Sequence, residues 1–329
     1  MIALVTGGGG FLGGAIVRQL IARGDTVRSL SRGDYPSLRA LGVTTIASDL
    51  NADLTSAVEG CDVVYHVAAK AGIWGDYREY HQINTLGTQN VIAACRRAGV
   101  PRLVYTSSPS VVHSGGDMEN IDESAPYPAH FEAAYPATKA EAERCVLAAN
   151  SASLATVALR PHLIWGPGDN HLVPRIIARA RSGRLRRIGN RVCLVDSTYI
   201  DNAADAHRIA CDRLTPNSPI GGKAYFIANG EPLPLWDLID KILATTGLPP
   251  ITKSVPRQVA SLAAIACERL YTLMGRRDEP PMTRFLVNQL STAHWFNLSA
   301  ARRDLGYEPQ VSIEEGLKRL AASFGWAAH

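Results

Sequence analysis

The chain has 329 residues, 46% of them hydrophobic and 19% charged, with a formal net charge of +4. That composition excludes a disordered or fibrous chain and allows one large core or two unequal ones. The longest near-continuous apolar run, Leu262 to Cys267, is far short of the ~18 residues a bilayer-spanning helix needs. No charged, apolar and small-residue succession precedes the first strand, so a soluble, cytoplasmic protein is expected. Six scattered cysteines without CxxC or histidine spacing read as reduced core residues rather than a disulfide frame or a metal site.

Ile2 to Val5 form a short apolar strand, followed by the turn Thr6-Gly7-Gly8-Gly9-Gly10-Phe11-Leu12-Gly13. Leu12, Ile16, Val17, Leu20 and Ile21 then line one face of a helix that Gly24 caps. Strand, glycine turn and amphipathic helix in that order let the backbone approach a pyrophosphate seated on the helix N-terminus. A second strand, Thr26 to Leu30, ends in Ser31-Arg32, where an acid would bind a ribose 2′-hydroxyl and an arginine a 2′-phosphate. Arg32 therefore points to NADP rather than NAD, although Asp34 lies close by.

Val43 to Ala47 reads as the third strand, with Asp49-Leu50 at its end as an adenine contact, Asp49 being equally suited to capping a helix. The fourth, Val63 to Ala69, contains His66, more readily a core histidine than a ligand. The loop Lys70 to Tyr80 carries Trp74, Tyr77 and Tyr80 and is a candidate substrate wall. A helix to about Ala98 holds Asn84, which has the chemistry to brace the sheet or the catalytic lysine. Arg102 to Ser107 and Leu154 to Leu159 complete six strands, which predicts an α/β fold with a Rossmann-type, doubly wound parallel sheet.

Alternation stops beyond Gly166-Pro167-Gly168-Asp169, which predicts a nucleotide-binding domain over 1–165 and a smaller, mostly helical substrate domain over 166–329. A strand at Lys223 to Ala228 is assigned to the second domain, and the helix 201–214 is expected to pack back on the first. Seven arginines, Arg175 to Arg191, lie in a stretch without acids or aromatics. They read as a solvated helix face, or as a basic rim for an anionic substrate or acidic partner, and not as a nucleic-acid surface. Leu262, Ile265, Leu270, Leu273 and Met274 form an apolar helical stripe that reads as core.

Tyr135 and Lys139 stand four residues apart at the start of the helix between the fifth and sixth strands, which puts them on one face. A phenol titrating near 10 is a poor proton donor and acceptor at neutral pH unless a cation stabilises its phenolate, a task that falls to Lys139. Ser108, ending the fifth strand, is placed to orient a reacting carbonyl oxygen.

Together these segments resemble the extended short-chain dehydrogenase/reductase family. The matching pieces are the glycine turn, Asp49-Leu50, His66-Val67-Ala68-Ala69, Asn84 with Gly87-Thr88, Tyr105-Thr106-Ser107-Ser108, Tyr135 with Lys139, Arg160-Pro161 and Gly166-Pro167-Gly168-Asp169. The resemblance implies that Gly7, Gly10, Phe11 and Leu12 lie along the pyrophosphate, with Ser31 and Arg32 at the 2′-phosphate. It implies further that Asp49 and Leu50 meet the adenine, that Ala68 and Lys70 approach the nicotinamide, and that Pro161 and His162 flank its carboxamide. Val173-Pro174-Arg175 after Gly168-Asp169 is similar to the 3β-hydroxysteroid dehydrogenase-like branch. Ala69 to Gly75, Asn229 to Pro234 and Pro309 to Gly316 are similar to bacterial reductases of long-chain olefin biosynthesis.

That last similarity implies NADPH-dependent reduction of a 2-alkyl-3-keto acid, a small hydrophobic substrate, with the apolar helices from Val255 to Leu290 as an alkyl tunnel. The family also implies a homodimer through the helices at Asn84–Ala98 and Tyr135–Ala149, and the pathway implies possible complexes with its other enzymes. Sterol or 3β-hydroxysteroid oxidation, nucleotide-sugar epimerisation or dehydration, and a non-catalytic nucleotide sensor are the alternatives.

Overall fold

The computed structural model describes residues 1–325. Seven parallel strands form the central sheet: β1 (Ile2–Thr6), β2 (Thr26–Ser31), β3 (Thr44–Ala47), β4 (Val63–His66), β5 (Arg102–Thr106), β6 (Ala155–Pro161) and β7 (Lys223–Ile227), in the spatial order 3-2-1-4-5-6-7. Leu4 pairs with Arg28 of β2 and with Val64 of β4, so the chain reverses its direction of travel across the sheet beside β1. In open sheets of this kind the crevice at the strand carboxyl ends, where the order reverses, takes the ligand.

The α-helices of six or more residues among the described ones are α1 (Phe11–Ala22), α2 (Gly87–Ala98), α3 (Ala134–Ala148), α4 (Leu172–Arg181), α5 (Ile200–Arg213), α6 (Leu235–Ala244), α7 (Arg257–Leu273), α8 (Arg284–Gln289) and α9 (Ile313–Ser323). Side chains alternate across β1: Ala3 and Val5 pack with Leu12, Ile16 and Leu20 of α1 and Ala203, Ala206 and Ala210 of α5. Leu4 faces the opposite core, built from Val91 and Cys95 of α2 and Ala142 and Val146 of α3. A sheet covered on both faces explains why its strands are continuous apolar runs rather than alternating ones.

Two features differ from the sequence expectation. β4 ends at His66 instead of Ala69, because the Thr6 hydroxyl accepts the Val67 and Ala68 N–H groups (3.1 and 3.2 Å) and bends the chain out of the ladder. The strand at Lys223–Ile227 is β7 of the central sheet, not part of a separate unit; Ala224 pairs with Ala158 of β6. Its ladder partner is more than sixty positions earlier, which local pattern does not reveal.

Residues after 228 are tied to the sheet by two buried amides. The side-chain nitrogen of Asn202 in α5 donates to Asn229 Oδ1 (2.9 Å) and to the Val311 carbonyl (2.7 Å), while its oxygen accepts the Gln310 and Val311 N–H groups. Asn229 donates to the same carbonyl (2.9 Å) and accepts from the Tyr199 N–H (3.0 Å). Every polar atom of the Asn202 side chain is thus satisfied in a water-poor setting, where an unmade bond is costly. Asn202→Leu, similar in volume, strands the partners and is expected to cost roughly 3 kcal/mol in urea unfolding; a loss under ~1 kcal/mol would show that the clasp is dispensable.

Candidate active site

The turn after β1 is shaped by absent side chains. Gly7 has φ +72°, and its N–H donates to the Leu30 carbonyl (2.7 Å). A Cβ on Gly13 would lie 2.1 Å from the Gly7 oxygen, so only glycine lets α1 come this close to β1. Gly10 caps α1 with no side chain over the helix end, and the first turn carries no acid. These open N–H groups and the positive helix end suit a pyrophosphate.

The turn opens into a cleft of about 840 Å³. Gly7, Gly10, Phe11, Leu12, Ser31, Arg32, Asp49, Leu50, Ala68, Lys70, Tyr135, Lys139 and Pro161 all line it, as Ser108 does, so the structure brings together nearly all of the residues singled out in the sequence. A cleft of this volume, lined from Asp49 to Tyr135, has room for a dinucleotide. Asp34, the acid that leaves NAD open as a reading, is gripped by Arg39, with Nη2 3.2 Å from Oδ2. Asp49 Oδ1 accepts from the Asn51 N–H (2.9 Å) and so caps its own turn.

At the far end stands the catalytic candidate. Tyr135 is the second residue of α3, half-buried, and Ser108 caps the short turn after β5, its Oγ accepting the Ser110 N–H (3.2 Å). Burial pushes the Tyr135 phenol up, partly offset by a hydrogen bond with Ser108. Lys139 is buried; its ammonium donates to the Thr106 carbonyl (2.5 Å) and lies 4.2 Å from the centroid of the Tyr105 ring. Desolvation brings its pKa down to about 7, against the opposing pull of Glu143 one turn on.

Lys139 is turned to the Thr106 carbonyl, and the hydrogen bond with Ser108 offsets part of the burial that raises the tyrosine pKa. Glu143 in turn is clamped by Arg160, Nη2 to Oε1 at 2.6 Å and Nε to Oε2 at 3.0 Å, and Tyr127 donates to it at 2.6 Å. The pair is almost wholly buried and its charges are mutually compensated.

Asn84 braces the cleft rather than entering it. In a π-helical turn, its Oδ1 accepts the Lys70 N–H (2.7 Å), and its nitrogen donates to the Lys70 carbonyl and to Thr138 Oγ1, both at 3.1 Å. His66 is a core histidine. The Thr88 hydroxyl donates to the Asn84 carbonyl and so accepts from His66 Nε2 (2.9 Å), while Thr6 donates to Nδ1 (2.8 Å).

Two expectations are corrected, those for His162 and Tyr80. His162 does not flank the cleft: its ring packs 5.1 Å from Phe296 and 5.7 Å from His294, while Pro161 and Leu163 form that wall. Lys70 lines the cleft, its ammonium held by Glu79 (2.5 Å) over the Tyr80 ring. Tyr80 is buried and donates to the Trp74 carbonyl (2.9 Å), which makes it a brace of that loop instead of a substrate wall.

The arginine run also dissolves as a single surface. α4 ends at Arg181; Arg175 pairs with Glu279, Arg187 with Asp240 (2.5 Å) and Arg191 with Asp117 (2.5 Å). The sequence reading missed Tyr35, whose ring sits where a Cβ of Gly9 would point, and Leu163, which lines the cleft at φ +42°. No spacing rule marks either; a branched side chain at positive φ is visible only in the backbone.

Fold and cleft place the protein among the nicotinamide-dependent oxidoreductases of the extended short-chain dehydrogenase/reductase class. Residues 4–257 match the 3-beta hydroxysteroid dehydrogenase/isomerase family, and the chain belongs to that family. It is 55% identical to the 2-alkyl-3-oxoalkanoate reductase of Stenotrophomonas maltophilia (strain K279a), over 98% of this chain and 99% of that one. It is 50% identical to the protein of the same name from Shewanella oneidensis, over 98% and 86%. Among solved structures it is similar to MoeE5 in complex with UDP-glucuronic acid and NAD, with a TM-score of 0.75 and 25% identity over 99% of both chains.

His66 and His294, both buried, have pKa values lowered to about 3, and His207 to about 4, each by desolvation; His162 is held well below its ordinary value. Above pH ~6.5 these groups are neutral in both folded and unfolded chains. As pH falls further the unfolded chain takes up protons that the fold refuses, so each removes ~1.4 kcal/mol of stability per pH unit until its folded pKa is reached. Urea midpoints are expected to drop steeply between about pH 6.5 and about pH 4.5; a flat profile there would mean that these rings accept protons in the fold.

Proposed function

We propose that the protein reduces the 3-keto group of a 2-alkyl-3-oxoalkanoic acid to the 2-alkyl-3-hydroxyalkanoic acid, with NADPH, in olefin biosynthesis. The observation that carries this reading is the 55% identity over the full chain to a relative of that name, joined to a cleft that ends at Tyr135 and Ser108. The bound nicotinamide supplies the hydride. Tyr135 Oη gives its proton to the carbonyl oxygen as that oxygen gains charge, and Ser108 Oγ donates to the same oxygen and orients it.

Lys139 leaves the Thr106 carbonyl to hold the ribose hydroxyls, and its charge then stabilises the Tyr135 phenolate left behind. Gly7, Gly10, Phe11 and Leu12 seat the pyrophosphate, Asp49 and Leu50 the adenine, and Ala68 and Pro161 the nicotinamide side. Ser31 and Arg32 hold the 2′-phosphate: Arg32 is exposed at the rim of the cleft, and Asp34, two residues on, is already paired with Arg39. A homodimer through α2 and α3 belongs to the same reading.

The test is oxidation of a synthetic 2-alkyl-3-hydroxyalkanoic acid, followed as reduced cofactor with NADP and NAD in parallel, since 3-keto acids lose carbon dioxide unaided. Turnover that prefers NADP supports the reading; no turnover, while a 3β-hydroxysteroid or a nucleotide sugar reacts, overturns the substrate. Tyr135→Phe is expected to lower kcat by ~10³-fold and leave the cofactor Kd within about threefold. Arg32→Ser is expected to weaken NADP binding by roughly tenfold or more and leave NAD binding unchanged; equal loss for both cofactors would remove Arg32 from the 2′-phosphate.

A further inference from the structure

The apolar stripe of α7 is not core. Only Ala260 and Ala264 of this helix are buried, whereas Leu262 is 68% exposed, Leu273 85% and Met274 58%, with Val259 and Leu270 also more than half exposed. Val259, Leu262, Leu270 and Leu273 fall at helical spacing on one outward face about 21 Å long, and Ala263 and Ala266 lie on it. A helix apolar on its outward face as well as its inward one is normally covered.

The chemistry of the stripe says by what. It is aliphatic throughout, without the tryptophan or tyrosine that anchors most protein interfaces. Its borders are basic: Lys253, Arg257, Arg269 and Arg277 are exposed, Arg277 standing 4.0 Å from Glu79, against the single acid of the helix, Glu268, which Arg284 holds (2.7 Å). The acids that follow are neutralised, Asp278 by Arg276 and Glu279 by Arg175. Aliphatic face and cationic rim together are the pattern of a helix that lies in the interface of an anionic bilayer, with its arginines reaching the headgroups. No helix among the described residues is long and apolar enough to cross a membrane, so the pattern is one of lying on the surface.

We propose that α7 docks the protein on an anionic lipid surface, Leu262, Leu270 and Leu273 entering the acyl boundary. The C-terminal end of the helix touches the loop that walls the cleft: Tyr271 meets Trp74 edge to face at 6.4 Å between ring centroids, and the Trp74 indole donates to the Arg276 carbonyl (3.4 Å). Lys70 and Ala71 of that loop line the cleft itself. Docking therefore brings the substrate end of the site to the surface where long alkyl chains partition. That consequence rests on the proposed keto-acid substrate, but the docking does not.

The experiment is flotation of the full chain, without substrate, on phosphatidylglycerol-containing vesicles and on pure phosphatidylcholine vesicles. The wild type is expected to float with the anionic vesicles, and to be released as salt rises from ~0.05 to ~0.5 M. Leu262→Glu/Leu273→Glu is expected to lose binding by ~10-fold or more with its circular dichroism and cofactor affinity intact. Arg269→Glu/Arg277→Glu, which alters charge alone at exposed sites, is expected to lose the preference for anionic lipid. No flotation, flotation unchanged in the leucine variant, or a wild-type oligomer that this variant dissociates without any lipid binding would overturn the proposal. Because no turnover is measured, failure of the substrate assignment leaves this result standing.

Discussion

Helix α1 can sit where it does only because its third residue has no side chain. The Gly7 oxygen occupies the place where a Gly13 Cβ would be, and the Gly8 Cα stands 3.0 Å from it. That approach aims the open N-terminus of α1 across the end of β1, at the point where the strand order reverses. It also fixes the partner of α1 on that face: Gln19 donates to the Asp201 carbonyl (3.0 Å), and α5 completes the layer. The cofactor cradle and one of the two sheet cores thus follow from the same missing methyl group.

The central fold was legible because its signals are local. A four-residue apolar run, a glycine turn and a 3.6-period stripe each lie within a dozen residues, and the Tyr135/Lys139 pair needs one turn of helix. What was not legible depends on distant partners. Nothing near Lys223 says that it begins the seventh strand beside β6, and nothing near Leu270 says that its helix face is left exposed among the described residues. The arginine run looked like one feature because its members are neighbours in sequence; in space Asp117, Asp240 and Glu279 draw them to three different places. His162 misled for a related reason: it directly follows a wall residue, and its ring turns the other way toward Phe296.

The electrostatics under the site have a single logic. Arg160 and Glu143 neutralise each other in the interior, which leaves Lys139 as the remaining buried cation of this group, with a carbonyl and an aromatic face in place of a counter-ion. Burying such a charge costs stability, and the same desolvation brings its pKa down to about 7. Asn84 supports the arrangement from outside, joining the Lys70 loop to Thr138, one residue before the lysine.

The amide clasp of Asn202 and Asn229 also bears on how the protein is made. Both side chains spend a donor on the Val311 carbonyl, which the ribosome adds 109 residues after the first asparagine and 82 after the second. For the whole of that interval α5 and the end of β7 exist with polar atoms that the finished interior satisfies and the nascent one does not. The sheet, complete at Ile227, therefore cannot close over Asn202 dry until Val311 has been made, so vectorial synthesis leaves this edge wet for the whole interval.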